Sequence, residues 1–279
     1  MKARIKAFLE QRIPELYFGL TSLRFFLQCR KKFGAFQARF RRDVFGTEAI
    51  RILSGPFQGL RYFDRTVWGP ITPKWIGSYE AVLHGVVEEI LGRQYPVILD
   101  IGAAEGYYAV GLAWKCPRSR VLAFDIDPIA RQRQRELAAL NAVGNLDVRK
   151  ACDHAILTNE IRDAPGPVLI ICDIEGAEQN LLDPRKAPPL KSADLLVECH
   201  PAGADSMDSV LSGLKTAFSS SHRITEIPDV VRDPESYAST IPKLAKVSPG
   251  VLAEALKEYR PAPQKWLWIQ FRGTDATAS

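Results

Sequence analysis

The chain has 279 residues, 46% of them apolar, and 37 Lys/Arg against 32 Asp/Glu for a formal charge of +5. That is enough apolar residue for one main α/β domain with an appendage. No run approaches the roughly 18 apolar residues of a membrane span, charges at Lys2, Arg4, Lys6, Glu10 and Arg12 interrupt any signal-peptide core, and five cysteines without CxxC spacing point to reduced thiols and a cytoplasmic location.

The charge is uneven. Residues 1–51 hold twelve Lys/Arg and four Asp/Glu, a local +8, which leaves −3 on residues 52–279. We read 1–51 as a basic helical extension in which Phe33, Phe36 and Phe40 recur at helical spacing. Three uses compete for it: docking on the main domain through the aromatics, contact with an anionic membrane surface, and contact with nucleic-acid phosphates. Residues 52–78, rich in Gly, Pro and aromatics, read as a hairpin and loop linking to a domain at 79–279, with turns at Gly55-Pro56 and Gly69-Pro70. Ser78 is placed to cap a helix running through Leu91 to a stop at Gly92.

From there apolar runs alternate with helical patterns: "PVILDIG", "SRVLAFDID", "LDVRKACD", "PVLIICDIEG", "ADLLVECHP", "HRITEIPD" and "KWLWIQFR". Seven near-continuous Val/Ile/Leu strands separated by helices predict an α/β fold, a mostly parallel sheet with helices on both faces. The arginine-rich "RQRQRE" of residues 131–136 reads as the exposed side of one covering helix, with no further role.

Ligands of such sheets bind beyond the carboxyl ends of the strands, and acids recur there: Asp100, Asp125 and Asp127, Asp153, Asp173 and Glu175, then Glu198 with His200. The loop after the first strand, "DIGAAEG", has Ala104 where a GxGxxG dinucleotide fingerprint needs its middle glycine. S-adenosylmethionine has no phosphate to seat there. Asp100 would act on its ammonium, backbone around Gly102, Ala103 and Gly106 would meet it, and Asp125 would accept both ribose hydroxyls beside Ile126. Asp153 would take the adenine amino group, and Asp173 completes the cofactor set. Asp127, followed by Pro128, reads as an N-cap.

"VILDIGAAEGYYAVGLA", "VLAFDIDP", "CDIEGAEQNLL" and "LLVECHP", in this order, resemble the FkbM-type branch of class I S-adenosylmethionine-dependent methyltransferases, over residues 79–272 above all. The resemblance implies a Rossmann-like sheet of seven strands with the last antiparallel, cofactor contacts at Asp100, Gly102 and Asp125, and O-methylation of a small hydroxylated acceptor such as a sugar, glycan or polyketide. Ala104 departs from the glycine common in methyltransferases.

Methyl transfer to a hydroxyl needs in-line alignment and removal of a proton. Asp173 and Glu175 point to one side of their strand, as do Glu198 and His200. If the fourth and fifth strands are neighbours, the four groups meet. Asp173, Glu198 and His200 would then be catalytic, with His200 or Asp173 as base and Glu198 orienting the histidine, or the same three would bind a divalent ion, Mg²⁺ or Mn²⁺. Glu175 and Glu178 could instead merely charge the first turn of the helix beginning at Gly176. Glu80 and His84, four apart, would cap the site from a helix face. Two other classes stay open: an NAD-linked oxidoreductase, and a non-enzymatic membrane- or RNA-associated protein with a vestigial pocket. An RNA methyltransferase would commonly carry an NPPY-like motif where "DIEGAE" stands. The acidic core argues against DNA or another polyanion at its mouth.

Overall fold

The computed structural model describes residues 13–64, 68–203, 205–228, 232–260 and 265–273. The first twelve residues of the basic extension, and residues 229–231 and 261–264 near the end of the chain, lie outside the described residues. The chain opens with a 32-residue helix, α1 (Pro14–Phe45). A short helix α2 (Thr72–Ile76) and a 3₁₀ turn at Ala81–Leu83 precede α3 (His84–Arg93). Then come β1 (Val97–Ile101), α4 (Tyr107–Lys115), β2 (Arg120–Phe124), α5 (Pro128–Leu140), β3 (Leu146–Arg149), α6 (His154–Arg162), β4 (Val168–Cys172), α7 (Glu178–Leu181), β5 (Asp194–Cys199), α8 (Met207–Phe218), β6 (His222–Pro228), α9 (Pro234–Thr240), α10 (Pro249–Ala255) and β7 (Lys265–Phe271).

All seven apolar runs are strands of one sheet, ordered β3-β2-β1-β4-β5-β7-β6. β1 pairs in parallel with β2 and β4, β2 with β3, and β4 with β5, while β7 runs antiparallel between β5 and β6. β1, β4 and β5 are buried along their whole length, as near-continuous apolar runs require. The pleat divides their side chains between two cores. Ile98, Ala123, Leu169, Ile171 and Leu196 join one with α4 and residues of the 50–62 segment, while Leu99, Phe124, Ile170, Cys172 and Val197 join the other beneath α6 and α8.

The N-terminal aromatics turn inward. Phe40 is buried, Phe36 packs on the same core, and the Phe33 ring lies 5.0 Å from that of Tyr259. They dock α1 on the domain. Residues 50–62 form a hairpin-like turn through the Arg51–Arg61 bridge and the Ile52–Leu60 hydrogen bonds. Within the loop, α2 is a helix that the sequence pattern did not suggest.

The helix expected from Ser78 begins instead at His84. Glu80 adopts a left-handed φ of +47° before the 3₁₀ turn, so the apolar spacing from Val82 onward does not extend back to Ser78. The helix also runs one residue past Gly92, and Gln94 at φ +52° ends it.

Candidate active site

Side chains two apart on a strand share a face, and the sheet register aligns them between neighbours. Asp100 lies two beyond Ile98, Asp125 two beyond Ala123, Asp173 two beyond Ile171, and Glu198 two beyond Leu196, so all four project to the side of the first core. They gather at the carboxyl ends of β1, β2, β4 and β5. Asp100 and Glu198 belong to the strands, and Asp125 and Asp173 follow them by one residue.

The loop after β1 is wrapped tightly around this end. Gly102, at φ +86°, has no room for a Cβ, which would meet the Asp173 carbonyl oxygen at 1.7 Å. Gly106, at φ +95°, caps α4. Ala104 also takes a left-handed φ, +45°, a conformation that costs an L-residue about 1–2 kcal/mol. Its N–H donates to Asp125 Oδ2 at 2.9 Å, and the Asp127 N–H donates to Asp125 Oδ1 at 2.8 Å. Asp125 therefore organises its own turn while keeping lone pairs free. Asp127 caps α5 through the Ile129 N–H.

Asp100 is 3% exposed and its Oδ2 has no hydrogen-bond partner. Burial pushes its carboxyl up to about 7, with the charges of Asp125 and Glu80 adding to the rise against the Ala109 backbone. Burial likewise takes Asp125 to about 6 despite the two amides it accepts from. Asp173 Oδ1 and Glu198 Oε2 are also buried without partners. Asp153, which the sequence reading gave to adenine, is exposed and caps α6 by accepting from the Ile156 N–H.

β4 and β5 are neighbours, and Asp173, Glu175 and Glu198 converge on His200. Its Nε2 lies 3.8 Å from Asp173, 3.7 Å from Glu175 and 3.5 Å from Glu198. Its Nδ1 is 2.9 Å from Glu178, a fully buried carboxylate that also accepts from the backbone N–H groups of Ile174 and Gly176. Burial alone would lower the imidazole, but the bonds to Glu178 and Glu198 and the charge of Asp173 hold it up at about 11. These partners favour the charged imidazolium form of His200. Glu178, which could merely have charged a helix turn, is the group bonded to the ring at Nδ1. Asp173, a third exposed, is raised well above the carboxylate range by burial and by Glu198. Among the described residues, Asp173, Glu175 and His200 offer ligand atoms within 4.8 Å of one another, a set that shares Asp173 and His200 with the one expected from sequence.

Several site residues gave no sequence signal. Arg260 reaches Glu258 at 2.7 Å and Glu198 at 3.4 Å and pairs with Glu80, which also accepts from the Tyr108 hydroxyl at 2.6 Å. Glu80 thus enters the site from a left-handed turn, not from a helix face shared with His84. Buried Lys74 and Tyr62 both donate to Glu105 inside the glycine loop, tying the 52–78 segment to it. The "RQRQRE" stretch also faces inward in part. Arg131 is 9% exposed and holds the carbonyls of Asp125 and Ile126, and fully buried Gln134 donates to the Ala104 carbonyl. At spacing i, i+3 these two share one face of α5.

An antiparallel β7 inserted between β5 and β6, a glycine-bearing loop after β1 and an acid after β2 decide the architecture. The fold is that of class I S-adenosylmethionine-dependent methyltransferases. No family model matches the chain. It is 39% identical over 70 residues to the release factor glutamine methyltransferase of Deinococcus radiodurans, and that stretch is 25% of this chain and 24% of the relative. The chain thus spans about a quarter of the length of that curated relative. Among solved structures, it resembles the O-methyltransferase TomG from Streptomyces achromogenes, involved in tomaymycin synthesis and in complex with SAM, at 16% identity and a TM-score of 0.45 over 69% of this chain and 80% of that one. An rRNA methylase from Streptococcus thermophilus is similar at 12% identity and a TM-score of 0.42, over 68% of this chain and 96% of that one.

Proposed function

We propose that this chain is an S-adenosylmethionine-dependent methyltransferase of the FkbM type that methylates a hydroxyl of a small acceptor, a sugar, glycan or polyketide, in the cytoplasm. The observation that carries the reading is the one-sided row of carboxylates, in which Asp100 Oδ2 is buried without a hydrogen-bond partner while Asp173 and Glu198 already lie beside His200 and Arg260. A cation beside Asp100 would relieve that burial, because leaving a buried carboxylate oxygen unpaired is costly. The cofactor's ammonium and sulfonium fit that need, whereas the pyrophosphate of NAD would meet repulsion.

When bound, S-adenosylmethionine supplies an electrophilic methyl group. Asp100 holds the ammonium side, directly or through water, while Gly102, Ala103 and Gly106 present backbone. Asp125 receives the ribose hydroxyls on its remaining lone pairs, and Ile126, 47% exposed, offers apolar surface beside it. Asp153 retains the oxygen that its cap does not use for the adenine amino group. Asp173, a third of whose side chain stays reachable, takes the acceptor's hydroxyl proton in its ionised form, which the charge of His200 beside it favours. His200, held charged by Glu178, and Glu198 position the acceptor beside it.

A second reading follows from the spacing of Asp173, Glu175 and His200, which suits a divalent ion such as Mg²⁺ once His200 gives up its proton. Calorimetric titration with S-adenosylmethionine and NAD tests the main reading, with binding expected for the first alone; binding of NAD alone would discard it. Labelled methyl transfer into fractionated cell extract then identifies the acceptor, with label expected on a small hydroxylated molecule.

A further inference from the structure

We propose that the outward face of α1 docks on an anionic lipid bilayer and sets the rim of the candidate active site against the membrane surface. Leu16, Leu20, Leu23 and Leu27 are 48–55% exposed. Their spacing of four, three and four residues lines them along one side of the helix. The opposite side is occupied: Ser22 and Cys29 are buried, Ser22 donates to Asp127, and Glu15 pairs with Arg131. The leucines are therefore not an unfinished part of the core.

Charge selects the occupant. Arg24, Arg30 and Lys31 are exposed beside the stripe, and between residues 14 and 42 the sole acid is Glu15, which is engaged by Arg131 and Lys150. A second copy would bring the +8 of residues 1–51 against another +8, whereas an anionic surface complements it. No described helix is long and apolar enough to cross a membrane, so the contact is parallel to the surface. The helix also braces the site. Asp127, which accepts from Ser22, follows Asp125 by two residues, and Arg131, which pairs with Glu15, holds the carbonyls of Asp125 and Ile126.

The inference does not depend on methyl transfer and is tested with the full chain. In flotation with equimolar phosphatidylcholine and phosphatidylglycerol vesicles, the protein floats; with phosphatidylcholine alone it stays behind. The double variant Leu20→Glu, Leu23→Glu keeps its circular dichroism spectrum and loses flotation. A triple variant, Arg24→Ser, Arg30→Ser, Lys31→Ser, binds anionic vesicles about a hundredfold more weakly, as three cations near a charged surface require. Absence of flotation by the unaltered chain, or unchanged flotation of the leucine variant, overturns the proposal. So does a dimer in sedimentation velocity that the leucine variant dissolves, since the stripe would then be a self-association seam.

Discussion

Glu178 Oε1 lies 2.9 Å from His200 Nδ1 while the same carboxylate accepts from the backbone N–H groups of Ile174 and Gly176. A fully buried acid thus ties the turn after β4 to the histidine after β5 and keeps that histidine charged. Replacing it with an amide preserves the shape and removes the charge. In Glu178→Gln the His200 titration is expected to move down from about 11 toward the ordinary histidine range, followed by NMR of the ring protons. An unmoved titration would show that Glu198 and Asp173 alone hold the proton.

Asp100 makes opposite demands on stability and binding. Its folded pKa of about 7 is above the unfolded value, so the native state holds an extra proton between about pH 4 and 7. Stability of the ligand-free protein accordingly falls as pH rises through that window. At pH 8, Asp100→Asn is expected to raise stability by about 2 kcal/mol, or roughly 5 °C in Tm, and to weaken S-adenosylmethionine binding. Thermal unfolding and calorimetry on the same samples decide it. A variant that loses both stability and binding would mean that Asp100 is a structural group.

The same protonation predicts a pH dependence for the cofactor. A cation bound beside Asp100 favours its ionised form, so binding should expel a proton and tighten as pH rises from about 6 to 8. Titrations in two buffers of different ionisation enthalpy measure the proton directly.

Asp125→Ala should weaken the cofactor by about 2 kcal/mol, since a hydrogen bond to a charged group is worth roughly 1.5–3 kcal/mol. The Ala104 and Asp127 amides lose their acceptor as well. Unfolding in urea separates that loosening from the lost ribose contact: an affinity loss with little change in midpoint assigns it to the ligand.

Arg260 pairs with Glu80, Glu198 and Glu258, the last of which also pairs with Arg232. Arg260→Met removes the cation that Glu80, Glu198 and Glu258 share, leaving Arg232 on Glu258 and His200 near Glu198, and unfolding in urea should show a loss of about 3 kcal/mol at pH 7.5. Burial raises Glu198 and Glu258 above the ordinary carboxylate value, so protonating them restores part of it and the deficit narrows toward pH 5.

Methyl transfer in the presence of EDTA distinguishes the two uses of the Asp173 cluster. Retained activity supports Asp173 as a metal-free base, and loss reversed by Mg²⁺ or Mn²⁺ supports the ion.

Much of the sheet and the row of acids could be read from sequence because both depend on local rules. Apolar runs between helices mark buried parallel strands, and a period of two puts Asp100 with Ile98 and Glu198 with Leu196 on one side of the sheet, whereas Glu175 reaches His200 from a left-handed turn beyond β4. Glu80 was misplaced because nothing local marks a left-handed residue that is not glycine. Arg260, Lys74 and Glu105 acquire meaning through partners tens to hundreds of residues away, for which a single sequence carries no pattern. Arg131 and Gln134 had a legible clue, a shared helical face, which the surrounding arginines obscured. The phenylalanines of α1 were visible as a stripe, but which side of the helix met the domain was a tertiary choice.

The contact between Gly102 and the Asp173 carbonyl leaves no slack between the first and fourth loops. Any shift of one drags the other, so the proposed cofactor side of the pocket cannot be retuned independently of the proposed proton-accepting side. Variation in what is methylated must therefore come from elsewhere along the rim, and attempts to redirect specificity should leave this pair of loops alone.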